Sequence, residues 1–181
     1  MEKTILDLCG GTGAWSKPYR DAGYNVLVID PYANTGDVRL FEKLTHVSVY
    51  GILCAPPCTM FAGSGARWKR TDQQMIDALS IVDACLRIVA VHAPKFWVLE
   101  NPIGKLVRFL GKPQMYFNPC DYGDPYTKKT CLWGEFNAPV KTPVEPTEGS
   151  KLHKLPPSPD RARLRSITPH GFAQAFFKAN Q

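Results

Sequence analysis

Residues Thr4 to Tyr32, TILDLCGGTGAWSKPYRDAGYNVLVIDPY, decide how the chain is read. Thr4 to Leu8 is an apolar, β-prone run, and Gly10, Gly11 and Gly13 break it. Residues 15 to 22 fit a short helix capped by Gly23, and Asn25 to Ile29 is a second buried strand ending at Asp30. Strand, glycine turn, helix and strand in so short a span predict a parallel βαβ unit, because parallel neighbours need a crossover.

Working outward, HVSVYGILCAPP offers a third strand running into Pro56 and Pro57. From Asp72 to His92 the apolar residues at 75, 76, 79, 82, 86 and 89 keep close to helical spacing, with Thr71 as N-cap and Pro94 beyond the end. Phe96 to Leu99 reads as a strand ending at Glu100, and residues 113 to 134 read as a hairpin running into TCLWGEF. Six prolines between residues 137 and 160 predict an extended arm rather than a second domain. TPHGFAQAFFKAN closes the chain as a helix, with Thr168 as cap and Pro169 in its first turn. This alternation predicts one α/β domain: an open, mostly parallel sheet with helices on both faces. Ligands gather at the carboxyl ends of such strands, where Asp30, Cys58 and Glu100 all fall.

The composition is that of an ordinary globular chain, 44% hydrophobic and 21% charged. No apolar run approaches the roughly 18–20 residues that span a bilayer, so no membrane partner is expected. The start, MEKTILDLCGG, shows no leader pattern, so a reducing cytoplasm is the expectation. Cysteines 9, 54, 58, 85, 120 and 131 form no C-x-x-C pair, so no metal is expected and free thiols are. A net charge of +6 and a pI near 9.0 favour a polyanionic partner. The basic groups are Arg67, Lys69 and Arg70; Lys128 and Lys129; and Arg161, Arg163 and Arg165. Each is either a solvated face or a nucleic-acid contact.

The glycine loop from Asp7 to Gly13, followed by an acid at the next strand end, suits a nucleoside cofactor whose ribose hydroxyls Asp30 accepts. No Gly-Lys-Ser/Thr follows, and the spacing departs from G-x-G-x-x-G. S-adenosylmethionine, which carries no pyrophosphate, fits better. Asp37 is either an acceptor for the adenine amino group or a turn aspartate, and Trp15 either lies against the ring or belongs to the core. Cys58 sits behind two stiffening prolines and ahead of a glycine-containing, cationic stretch that reads as a pliable lid. Fixed there, its sulfur suits attack on C6 of a pyrimidine, with Glu100 engaging N3 and C5 becoming the nucleophile. Glu100 read alone is equally a carboxyl at the edge of the core.

The Asp7–Gly13 loop, Pro56-Pro57-Cys58 and Glu100-Asn101, in this order, resemble the DNA cytosine-5 methyltransferase family. YGDPYTKKTCLWG resembles the family's Phe-Gly-x-Pro-Gln-x-Arg-x-Arg segment, and SITPHGFAQAFFKAN its last motif, a turn and helix that complete the cofactor pocket. The resemblance implies a Rossmann-like methyltransferase fold, S-adenosylmethionine as methyl donor and DNA as substrate. It implies Cys58 as nucleophile, Glu100 as its N3 partner, Asn101 as a support for the loop and Lys128 as a phosphate contact. Together these readings assign the cofactor to Asp7, Cys9, Gly10, Gly11, Gly13, Trp15, Asp30, Asp37, Pro56 and Ser166. They assign nucleic acid to Ser64, Arg67, Lys69, Arg70, Lys128, Lys129, Arg163 and Arg165. The departures are Tyr126, Lys128 and Thr130 in place of Gln, Arg and Arg, Ser166 in place of Asn, and a proline-rich arm over residues 135 to 160 in place of a target-recognition domain. So reduced an enzyme would suit a phage or mobile element, and is expected to be weakly specific, to favour a single strand or a flipped base, or to borrow its recognition from a protein partner. The same chemistry on RNA or a free pyrimidine nucleotide, or a non-catalytic module binding cofactor or nucleic acid, stays open.

Overall fold

A computed structural model of the chain describes residues 3–181; Met1 and Glu2, the first residues of the leader reading, lie outside them. Six strands form one sheet: β1 (Thr4–Leu8), β2 (Asn25–Ile29), β3 (Val49–Cys54), β4 (Phe96–Pro102), β5 (Met115–Phe117) and β6 (Thr130–Glu135), in the order β2-β1-β3-β4-β6-β5. The pairs β1/β2, β1/β3 and β3/β4 are parallel, while β6 runs antiparallel to both β4 and β5. The fold is therefore the mixed α/β sheet that the sequence predicts, parallel for most of its width.

Side chains alternate across the sheet as the pleat requires. Leu6, Leu8, Ile52, Cys54 and Leu99 enter one core, with Val82, Cys85 and Ile88 of helix α2 (Asp72–His92). Ile5, Leu53, Phe96 and Val98 enter the other, with Tyr19 of α1 (Lys17–Asp21) and Phe172 and Phe176 of α5 (His170–Ala179). Helices thus cover both faces, and a short helix, α3 (Val107–Leu110), follows β4. Phe172 stacks on Phe117 with centroids 3.9 Å apart, and it is fully buried. Truncating it to alanine costs about 3–5 kcal/mol by the usual cavity arithmetic.

Helix α2 begins where its sequence says. The Thr71 hydroxyl accepts from the Gln74 N–H, and the Gln74 side chain accepts from the Thr71 N–H, a reciprocal capping box. At the closing helix the reading needs correction. Pro169, with extended ψ of 135°, occupies the cap position instead of the first turn, and no side chain, Thr168 included, caps it. The proline-rich arm is extended, yet it lies along the segment after β5. Thr142 N–H donates to Asp121 O, Val144 N–H to Cys120 O, and Thr127 N–H to Gly149 O, each at 2.9 Å. The arm then leads into a helix that the sequence did not announce, α4 (Arg161–Ser166).

The chain leaves β1 for one side, to β2, and returns past it to β3 on the other. This reversal opens a crevice outside the carboxyl ends of β1 and β3. The register is level there: Leu8 pairs with Cys54, and Cys54 with Leu99. Glu100 is the next residue of β4, so it projects from the same edge as the turn carrying Cys58.

Candidate active site

Two turns and one returning strand build the crevice. After β1 the backbone turns left-handed at Cys9 (φ 57°) and again at Gly11 (φ 52°). Gly10 faces the Asp7 carboxylate so closely that any Cβ would force that buried side chain to move. The Gly11 N–H donates to Asp30 Oδ2 at 2.9 Å. Asp30 therefore fastens the glycine loop to the end of β2.

After β3 the turn through Pro56-Pro57 is held by Asn101. This residue is fully buried, and its Nδ2 donates to Pro56 O at 2.9 Å. Past Cys58 the chain does not swing free, contrary to the pliable lid expected. Phe61 is fully buried, Gly63 N–H donates to Ile103 O at 2.9 Å, and Lys105 N–H donates to Phe61 O at 2.7 Å. Gly104 permits this approach, since a Cβ there would collide with the Phe61 carbonyl. The half of the lid beside Cys58 is thus stitched to the exit of β4. The exposed cations follow it, on Arg67 and Lys69.

The returning strand delivers the positive charge. Thr130 of β6 pairs with Pro102, so the two residues before it, Lys128 and Lys129, reach the edge that bears Glu100. Lys128 Nζ lies 3.6 Å from Glu100 Oε1 and donates to Arg165 O at 3.3 Å. Arg165, on α4, donates to Ser64 Oγ at 3.4 Å, so α4 bridges the lid and the strand.

Two cavities meet at Cys58. One, about 70 Å³, is lined by Asp7, Cys9, Gly10, Gly11, Trp15 and Pro56, with Glu100, Lys128, Arg165 and Ser166 closing it. The other, about 280 Å³, is lined by Ser64, Lys128, Lys129 and Arg165 and by residues that the sequence reading missed: Asn118, Thr127, Ser150, Leu152 and His153. Cys58, Pro102, Lys128 and Arg165 line both. The missed residues come from the arm and from the approach to β6, far apart in the chain and in no motif. Only the folded arm brings them together.

Other expected site residues lie elsewhere. Asp37 caps the turn Val38–Leu40 and pairs with Arg39, so its carboxylate is engaged locally. Gly13, Asp30, Arg67, Lys69, Arg70 and Arg163 line neither cavity. Arg70 donates to Thr59 O at 3.3 Å, and Arg163 pairs with Asp160 at 3.2 Å.

The electrostatics of the crevice are set by burial. Asp7 is fully buried and burial pushes its carboxyl up to about 6, against the Ser16 hydroxyl that donates to Oδ2. Burial first, and the Glu100 charge second, raise the Cys58 thiol, while Lys128 and Arg165 pull it down. Asp7 Oδ1 and Trp15 Nε1 are buried without a hydrogen-bond partner, one an acceptor and one a donor, on residues that line the smaller cavity. Orphaned polar atoms of both kinds beside a glycine loop fit a ligand with amino and carboxylate groups. S-adenosylmethionine has both. Trp15 also packs against Phe172 and Phe176, so its body belongs to the core and only its edge is available. Among the described residues no group of His, Cys, Asp and Glu has the makings of a metal site, and no helix is long and apolar enough to cross a membrane. All six cysteines are free thiols.

No protein-family model matches the chain. The type II methyltransferase M.DdeI of Desulfomicrobium norvegicum is 28% identical to it over 165 aligned positions, which take in 69% of this chain and 38% of that protein. Among solved structures, a DNA modification methyltransferase encoded within an E. coli prophage superposes with a TM-score of 0.53 at 19% identity, covering 87% of this chain and 49% of that one. The chain thus spans less than half the length of either. Its six-stranded sheet matches a methyltransferase fold, and over most of its length the chain is homologous to a type II DNA methyltransferase.

Proposed function

We propose that the chain transfers a methyl group from S-adenosylmethionine to C5 of a cytosine in DNA, through a covalent bond between Cys58 and C6. The observation that carries this reading is the position of Cys58 on the wall common to two cavities, one beside the glycine loop and one basic. A nucleophile that touches both chambers can hold a base from one while a donor occupies the other. The resemblance of the Pro-Pro-Cys and Glu-Asn segments to the cytosine-5 enzymes supports the choice of base and atom.

Asp7, Trp15 and the Cys9–Gly11 turn would hold the cofactor, with Ser166 at the margin of the same cavity. S-adenosylmethionine, when bound, supplies an electrophilic methyl group. The residues of the chain do the rest. Glu100 engages N3 and draws electron density out of the ring, so that C6 accepts the Cys58 sulfur. The electron pair of the C5–C6 bond then moves to C5, the atom that takes the methyl group. Loss of the C5 proton restores the double bond and expels the thiolate. Lys128 steadies Glu100, and the fastened half of the lid keeps water from the sulfur. Because ring chemistry requires an accessible face, the base is single-stranded or flipped out of a duplex.

Incubation with methyl-labelled S-adenosylmethionine and DNA, RNA or dCMP, followed by nucleoside mass spectrometry, tests the proposal. The expected product is 5-methyldeoxycytidine from DNA, absent with Cys58→Ala. Label found only in RNA or in the free nucleotide would overturn the substrate. No covalent adduct with a 5-fluorocytosine oligonucleotide under turnover conditions would overturn the mechanism.

A further inference from the structure

The larger cavity has a chemical bias of its own. Among the described residues, Lys128 is paired with Glu100, but no carboxylate lies within 4.0 Å of Lys129, His153 or Arg165. Lys129 holds its ammonium over the Tyr116 ring, 5.4 Å from the centroid, and the Arg165 guanidinium spends one long hydrogen bond on Ser64. His153 is set by its backbone: its N–H donates to Ser150 O at 3.2 Å, and its carbonyl accepts from Arg161 at 3.4 Å. None of the described residues hydrogen-bonds its imidazole. Three nitrogen-donor side chains without a counter-charge therefore line one cavity, Lys129 and His153 exposed and Arg165 half-buried, where together they can attract an anion.

From this we infer that the arm completes a phosphate subsite: His153, with Lys129 and Arg165, grips the phosphodiester joined to the nucleotide whose base faces Cys58. The inference rests on the proposed function for the identity of that base and adds where its backbone is held. Lys129 and His153 line only the larger cavity, while the glycine loop lines only the smaller one, so the anion that these two grip belongs to the substrate and not to the cofactor. Neither His153 nor any other arm residue figures in the motif segments. The fold recruits them by laying residues 142 to 149 along the chain between Cys120 and Thr127, which brings Ser150 to His153 over the lid. The arm then supplies a grip on the nucleic-acid backbone.

The test is a binding cycle in a Cys58→Ala background, so that it reads out whether or not methyl transfer occurs. A short single-stranded deoxyoligonucleotide with one cytosine is compared with the same strand carrying neutral methylphosphonate links on both sides of that cytosine. With Lys129 and His153 present, the neutral links should weaken binding about tenfold, as for the loss of one charge-assisted contact. With Lys129→Gln and His153→Gln together, the penalty should shrink to less than about twofold. On a single strand, Lys129→Gln alone should lower the slope of log affinity against log salt by about 0.7. Equal penalties in both proteins, each with an unchanged melting temperature, would overturn the subsite. So would displacement of the oligonucleotide by dCMP at matching concentration, which would assign the cations to a free nucleotide. Failure to form 5-methylcytosine with the cycle intact would instead strike the proposed chemistry and leave the phosphate grip standing.

Discussion

The side-chain amide of Asn101 donates a 2.9 Å hydrogen bond to the backbone carbonyl of Pro56, joining the exit of β4 to the turn that carries Cys58. One buried bond thus fixes the two groups of the proposed reaction relative to each other, since Glu100 precedes Asn101 and Cys58 follows Pro57. Asn101→Ala leaves the carbonyl unpaired inside the protein and should cost about 1–3 kcal/mol of stability. Asn101→Asp keeps the size and removes the donor, so it should be no better. Both variants should trap 5-fluorocytosine DNA more slowly than their loss of folded protein explains. Trapping at the wild-type rate per folded molecule would show that the bond positions nothing.

The thiol of Cys58 answers to the charges around it. Burial and Glu100 raise it above the ordinary 9.0, and Lys128 and Arg165 oppose them. Site-resolved alkylation of Cys58 should therefore gain rate only on the alkaline side of that value. Glu100→Gln should move the midpoint down and Arg165→Ala should move it up. Shifts in the same direction for both variants would contradict the arrangement.

Asp7 carries a cost to the empty protein. Its carboxyl rises from 3.8 to about 6 on folding, so the folded state holds the proton more tightly than the unfolded chain does. Its contribution to stability is full below 3.8 and is lost as pH rises through about 6, a swing of about 3 kcal/mol at most. Asp7→Asn should therefore raise the melting temperature of the cofactor-free protein at pH 8, with the gain fading toward pH 4. The same variant should bind S-adenosylmethionine more weakly. A gain independent of pH would mean that the carboxyl does not titrate on folding.

Gly104 is the point where the lid is sewn down. A methyl group there would displace the Phe61 carbonyl and with it the Gly63 and Lys105 hydrogen bonds. Gly104→Ala should leave α2 and the sheet folded but raise proteolysis between Met60 and Arg70 by about tenfold or more, the equivalent of roughly 1.4 kcal/mol of local opening. Unchanged cleavage would place the restraint elsewhere.

The strands and the long helix were legible because their signals are local. The run from Thr4 to Leu8, the glycines after it and the Thr71–Gln74 capping box each fix backbone within a few residues. Cys58 and Glu100 were legible as strand-end residues, and level register brings them to one edge. Helix α4 was not. Arg161 to Ser166 has little apolar periodicity, and long-range bonds hold the segment, from Arg165 to Ser64 and from Lys128 to the Arg165 carbonyl. Asp37 looked like a cofactor acid but bonds its own neighbour Arg39, a local option that aspartates in turns readily take. His153 and Leu152 carried no local signal at all, because their place in the cavity depends on where a proline-rich segment folds back.

That return has a practical consequence for re-engineering the molecule. Val144 N–H is anchored on Cys120 and Glu148 N–H on Pro125, both at 2.9 Å, so the solvent-facing tip from Glu145 to Thr147 begins and ends on the same rigid ledge. A guest domain spliced into that tip would hang from two fixed posts without disturbing the wall around Cys58. The scaffold thereby offers a ready socket for programmable address modules.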